Sequence, residues 1–140
     1  MDPSYLINTN VFPDDLADIS VLNIPVEIKI PRVFSIKMKE DTIRGNHAHK
    51  ECWQIILPMT HQVEIVANFG HVQNKYQLLP LTSILVVPPM NWVKLSCPRN
   101  SIVTVLTSEI FSESDYIRNF EEYLEVFLIN HSSERKGAIN

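Results

Sequence analysis

Six short segments decide the fold: WQIIL (53–57), QVEIVA (62–67), VQNKYQLL (72–79), SILVV (83–87), WVKLS (92–96) and IVTVLT (102–107). Each is short, rich in β-branched or aromatic residues, and bounded by turn formers. Successive side chains on a strand point to opposite faces, so the alternation in QVEIVA and IVTVLT gives one buried and one wetter face. SILVV has no polar break and suits a strand covered on both faces. Starts recur roughly every 8–12 residues, the rhythm of sandwiches and barrels. Punctuation comes from Pro58, Asn68-Phe69-Gly70, Pro80, Pro88-Pro89 and Pro98-Arg99-Asn100. Upstream, Val26-Ile28-Ile30 alternates with Glu27 and Lys29, and Val33–Met38 follows as a further strand.

After Ser112-Glu113-Ser114-Asp115 the period changes. Phe120, Tyr123, Leu124, Phe127 and Leu128 fall on one helical face within Tyr116–Ile129, with Asn119 as N-cap. His131–Asn140 is polar and reads as a frayed, flexible tail. The expectation is an all-β fold, a small antiparallel barrel or sandwich with a short C-terminal helix. It forms one domain over 1–130, with a flexible tail at 131–140.

The chain has 140 residues, 45% of them hydrophobic, enough for a core without staples. It holds only 3 Gly against 9 Pro, and Gly45, Gly70 and Gly137 are far apart. That excludes a P-loop or a dinucleotide fingerprint, each of which needs clustered glycines. Cys52 and Cys97 form no C-x-x-C and read as buried, reduced thiols. Neither a signal-peptide pattern nor an apolar run of spanning length occurs, so the reading is a cytoplasmic protein with no membrane partner. The net charge of −4 argues against nucleic acid. Lys29, Arg32, Lys37, Lys39, Arg44 and Lys50 are opposed locally only by Glu40 and Asp41, so 29–50 carries +4 and the remainder −8. Such a patch can draw in a small anion, although a solvated strand face explains the same count.

Chemistry concentrates in Arg44-Gly45-Asn46-His47-Ala48-His49-Lys50. On a strand, His47 and His49 share a face, with Cα atoms about 6.5–7 Å apart. Three readings stand: two surface histidines near a turn, a metal site, or metal-free imidazoles that bind or move protons near neutral pH. Gln54 stands where a carboxylate ligand is expected, and Pro88–Lys94 holds no histidine, so the ligand set for a metal is poor.

The run Arg44-Gly-Asn-His-Ala-His-Lys-Glu-Cys-Trp-Gln54 resembles the R-G-x-H-A-H-K-x-x-x-Q segment of the nucleotide-sugar 3,4-ketoisomerases, the WxcM-like branch of the cupins. Ile24–Lys29 with Arg32-Val33, Pro89-Met90-Asn91-Trp92, and Glu113–Leu124 are similar to further stretches of that family, in order. The resemblance implies a cupin-type (RmlC-like) jelly-roll barrel and a homodimer with exchanged N-terminal strands, Leu6–Phe12 being the candidate. It implies a dTDP-linked 4-keto-6-deoxyhexose substrate, no cofactor and no metal. His49 matches the base, His47 its partner and Arg44 the neighbouring arginine. Arg32, Lys50, Gln54, Trp92 and Ser35 are candidate substrate contacts. Where the family has tyrosine, this chain has Phe34-Ser35; Val93-Lys94 follows the loop tryptophan, and glycines are missing near Leu16 and Pro58. An isomerase is therefore expected, with a nucleotide-sugar-binding protein that no longer isomerises as the alternative.

Overall fold

A computed structural model describes residues 2–25 and 27–139. Among these residues twelve strands, one 3-10 turn and one α-helix follow in the order β1 (Tyr5–Asn8), β2 (Asn10–Pro13), β3 (Asp18–Val21), β4 (Arg32–Lys37), β5 (Thr42–His49), β6 (Gln54–Pro58), β7 (Val63–Phe69), β8 (Val72–Leu78), β9 (Ser83–Val87), β10 (Trp92–Cys97), β11 (Ile102–Thr107), the 3-10 turn Glu113–Asp115, β12 (Tyr116–Ile117) and α1 (Phe120–Ile139). Two five-stranded sheets form, ordered β1-β9-β6-β11-β4 and β12-β5-β10-β7-β8, and every pairing is antiparallel. This is the jelly-roll arrangement implied by the sequence resemblance.

The inner faces of both sheets make the core. Ile56, Leu85, Val87, Val103 and Val105 from the first sheet meet Val63, Ile65, Ala67, Leu78, Val93 and Leu95 from the second. Period 2 then sends the alternate residues outward. Ile55, Ile84 and Val86 leave the outer face of the first sheet and are buried beneath Leu22, Ile24, Ile28, Ile30 and Trp53. SILVV lacks polar breaks because both of its faces are covered.

The covering layer departs from expectation. Residues 27–31 are irregular, not an alternating strand, and Val26 lies outside the described residues. Pro25 and Pro31 supply no N–H for a ladder, and the Ile28 amide turns back to the Pro25 carbonyl at 3.0 Å. The isoleucines are core residues, delivered by a loop instead of a strand.

The helix covers the outer face of the second sheet. Tyr123, Leu124, Val126 and Phe127 pack on Ala48, Met90, Trp92 and Ile117. Asn119 caps it, its side-chain oxygen accepting from the Glu122 amide at 3.0 Å. The buried Tyr123 hydroxyl accepts from the Gly70 amide at 2.8 Å and faces the Asn68 and Met90 carbonyls at 3.1 and 3.0 Å. Leu128, assigned to the buried face by periodicity, is exposed. Tyr116 and Ile117 join β5 as a strand, since pairing with His49 and Ala48 satisfies their backbone better than a free helix end would. The helix continues through 131–139, where the sequence suggests fraying; no proline interrupts it. Among the described residues no helix is long and apolar enough to cross a membrane.

One irregularity positions the site. In the β5–β10 ladder Val93 faces His47 and Lys94 faces Gly45, so Asn46 is an extra residue. Gly45 and Asn46 both have positive φ, 82° and 57°, and the result is a β-bulge. Leu95 and Val93 share a face, and their partners are Arg44 and His47. The bulge therefore puts Arg44 and His47 on one face although they are an odd number of residues apart. A Cβ on Gly45 would sit 2.7 Å from the Val93 carbonyl oxygen. Gly45→Ala is expected to lower stability by about 1–3 kcal/mol, read by denaturant unfolding. Unchanged stability would show that the bulge is not held by this contact.

Candidate active site

A cleft of about 340 Å³ opens between the sheets, and its walls include Arg32, Phe34, Arg44, His47, Gln54, Tyr116 and Arg118. His47 sits in its wall, while His49 lies just behind, 6% exposed. The two imidazoles meet edge to face, centroids 4.9 Å apart. Tyr116 touches both rings, at 5.0 Å from His47 and 4.2 Å from His49.

Behind His49 stands Asp115. Its Oδ2 is 2.9 Å from His49 Nδ1. Its Oδ1 accepts the Glu51 amide at 2.7 Å, and its backbone carbonyl accepts the Lys50 amide at 2.9 Å. The carboxylate is thus fixed by the chain immediately after the histidine. A carboxylate accepts only, so His49 Nδ1 carries the proton and Nε2 is left with its lone pair. Nε2 is buried and has no partner among the described residues; His47 Nδ1 is in the same condition. Two buried, unsatisfied nitrogens beside a cleft are what a site awaiting a hydrogen-bonding ligand looks like.

Electrostatics keep both rings neutral. Burial, then the neighbouring His49 and Arg118, pushes His47 down to about 4. Burial also lowers His49, opposed by the hydrogen bond and charge of Asp115. Three guanidiniums, Arg32, Arg44 and Arg118, line the same cleft. Arg32 lies over the Phe34 ring at 4.6 Å and Arg118 over Tyr116 at 4.2 Å. Glu113 grips Arg118 through two hydrogen bonds of 2.7 and 3.0 Å, which holds the Glu113 carboxyl below its ordinary range.

Most residues singled out from sequence converge here: Arg32, Arg44, His47 and Gln54 line the cleft, and His49 backs it. Three do not, and strand parity explains two of them. Phe34 and Ile36 face the cleft, so Ser35 points out and bonds Thr104 at 2.9 Å. Val93 faces the cleft, so Trp92 turns to the helix, 7% exposed, against Phe120 and Tyr123 at 5.2 and 5.5 Å. Lys50, past the end of β5, lines a separate recess beyond Asp115. Asp115 is a site residue that the sequence motifs do not single out. It lies 66 positions from His49, and its signal was its place directly before Tyr116 in the closing motif. Tyr116 and Arg118, which fall in the Tyr116–Ile129 run of helical spacing, line the cleft because Tyr116 is in a strand.

The family model for FdtA, described as WxcM-like, C-terminal, matches residues 5–127. The chain belongs to this family. A relative, the TDP-4-oxo-6-deoxy-alpha-D-glucose-3,4-oxoisomerase of Aneurinibacillus thermoaerophilus, is 30% identical over 117 residues, 82% of either chain. This WxcM-like chain also superposes on a 3,4-ketoisomerase from Helicobacter canadensis with a TM-score of 0.83 at 27% identity, covering 91% of this chain and 98% of that one. A mutant of the 3,4-ketoisomerase QdtA from Thermoanaerobacterium thermosaccharolyticum, in complex with TDP-4-keto-6-deoxyglucose, has the same fold. Its TM-score is 0.81 at 24% identity, covering 89% and 94% of the two chains.

The lowered histidines give a pH signature. A histidine whose folded value lies below its unfolded value near 6.5 favours folding above that pH, and the contribution is lost as pH falls through the folded value. The melting temperature is expected to fall as pH drops from 6.5 to about 4, and less steeply in His47→Gln. A flat profile, or one unchanged in the variant, would contradict the neutral, buried state of His47.

Proposed function

We propose that this chain is a nucleotide-sugar 3,4-ketoisomerase acting on a dTDP-linked 4-keto-6-deoxyhexose, without metal or cofactor, in deoxyamino-sugar or surface-polysaccharide biosynthesis. The observation that carries the reading is the buried, unpartnered His49 Nε2, prepared as a proton acceptor by the Asp115 contact at Nδ1 and set beside an arginine-lined cleft. Family membership and the names borne by its relatives support the substrate class.

The chemistry needs two proton movements and no redox partner. The C4 ketone acidifies the C3–H bond. His49 Nε2 takes that proton, and the electron pair flows through the new C3–C4 double bond onto O4. The resulting enediolate is reprotonated at C4, while the hydroxyl proton of O3 passes to O4 and a ketone is left at C3. The imidazolium formed on His49 is stabilised by Asp115. A neutral His47 can donate from one nitrogen and accept at the other, which suits the O3-to-O4 transfer. Arg44 stabilises the enediolate charge, and Arg32, with Arg118, suits the diphosphate. Gln54 offers an amide to the sugar hydroxyls.

A homodimer with exchanged N-terminal strands completes the proposal. Among the described residues of one chain β1 pairs with β9, whereas β2 and β3 pair only with each other. Val11, Phe12, Leu16 and Ile19 are exposed on this hairpin, Leu16 at 97%. An apolar hairpin of this kind is suited to a second copy.

Incubation with dTDP-4-keto-6-deoxyglucose in deuterated water, followed by NMR, is expected to show deuterium entering at C3 of the substrate and C4 of the product. His49→Asn should abolish exchange, and Asp115→Asn should slow it about 10²–10⁴-fold. Calorimetric binding without exchange would replace the isomerase with a nucleotide-sugar-binding protein. Failure to bind any nucleotide sugar would overturn both.

A further inference from the structure

Cys52 is absent from the mechanism, yet its sulfur, which donates to the Trp53 carbonyl at 3.2 Å, lies close to the His49–Asp115 pair. One ring nitrogen of His49, the Cys52 sulfur and one carboxylate oxygen of Asp115 all lie within 4.8 Å of one another. These are three different donor types, imidazole, thiol and carboxylate, each of which binds zinc-like cations. They come from β5, the turn after it and the segment before β12. His49 and Cys52 are buried, so the cluster is built into the fold and is not a chance gathering of surface acids.

One of the three, Asp115, also borders a recess that shares no wall residue with the cleft. A recess of about 300 Å³ ends on Asp115, and its walls include Glu51, Glu109, Ser112 and Ser114. Two further carboxylates along the way favour a cation over an anion. Lys50, also in the wall, is the one opposing charge there. Asp115 is thus the cluster's member at the acidic recess, while nucleotide sugars would enter from the arginine-lined cleft.

We propose that His49, Cys52 and Asp115 form a regulatory binding site for a thiophilic divalent cation of the zinc class, entering through the Glu51–Glu109 recess. Tetrahedral zinc with bonds of about 2.0–2.3 Å draws its donors to roughly 3.3–3.8 Å from one another. The His49–Asp115 pair opens slightly from 2.9 Å, the sulfur moves in by about 1 Å, and water takes the fourth position. The thiol proton leaves to solvent, one per metal bound. The metal takes His49 Nδ1, so the ring proton moves to Nε2 and the ring stays neutral. Nε2 then carries a hydrogen and can no longer accept one. The cation turns the base off without touching the cleft.

The test uses the full chain freed of metal and titrated with Co²⁺, then Zn²⁺. One Co²⁺ per chain should bind, giving a thiolate-to-cobalt charge-transfer band that Zn²⁺ abolishes. Cys52→Ser should lose the band and weaken zinc binding by about 100-fold. Cys97→Ser, at the other buried cysteine, should keep both and so controls for general damage to the fold. Absence of the band in the wild-type chain, or its survival in Cys52→Ser, would overturn the site. This readout stands whether or not the chain isomerises a sugar. Under the isomerase reading, zinc should also stop deuterium exchange in the wild-type chain and spare it in Cys52→Ser; equal inhibition of both would overturn the switch.

Discussion

The contact between the Val93 carbonyl and Gly45 decides the geometry of everything that follows. The strand takes a left-handed step at position 45, where a side chain would have no room, and gains an extra residue at Asn46. Without that residue, period 2 would send Arg44 and His47 to opposite faces of β5. With it, guanidinium and imidazole face one cleft. The same strand then continues in regular alternation, so His49 sits behind His47 and within reach of Asp115. In a chain with three glycines, one of them holds the register of the active strand.

Burial and one carboxylate give the two histidines different surroundings. Both rings are kept neutral by desolvation, but only His49 has a carboxylate at one nitrogen. That contact fixes a tautomer and leaves a lone pair directed away from Asp115. His47, with no such partner, remains able to give and receive. Two identical side chains, two positions apart, acquire different hydrogen-bonding capacities from their surroundings. Arg118 adds to this from the far side of Tyr116, where its charge further disfavours protonation of either ring.

Much of this was legible in the sequence because it obeys period 2. The strands from Trp53 to Thr107 appear where alternation put them, and Arg32, Arg44, His47 and Gln54 meet in one cleft. The failures are where another constraint overrode local pattern. Ile28 and Ile30 alternate as in a strand but lie in a loop between prolines, since outer-face burial needs only apolar side chains, not a ladder. Tyr116 fits a helical spacing, yet β5 offered its backbone a partner. Ser35 and Trp92 are one residue out of phase with the cleft, the smallest error that parity punishes fully. Asp115 belongs to a contact across 66 positions, and no spacing rule reaches that far.

The proposed role of His49 turns on the protonation state of its ring. Long-range proton–nitrogen NMR of the wild-type protein, with His49 assigned by comparison with His49→Asn, reads that state directly. A neutral His49 protonated at Nδ1 and bare at Nε2 at neutral pH is the result expected from the Asp115 contact. An Nε2-protonated ring, or an imidazolium under the same conditions, would contradict the assignment of His49 as the proton acceptor.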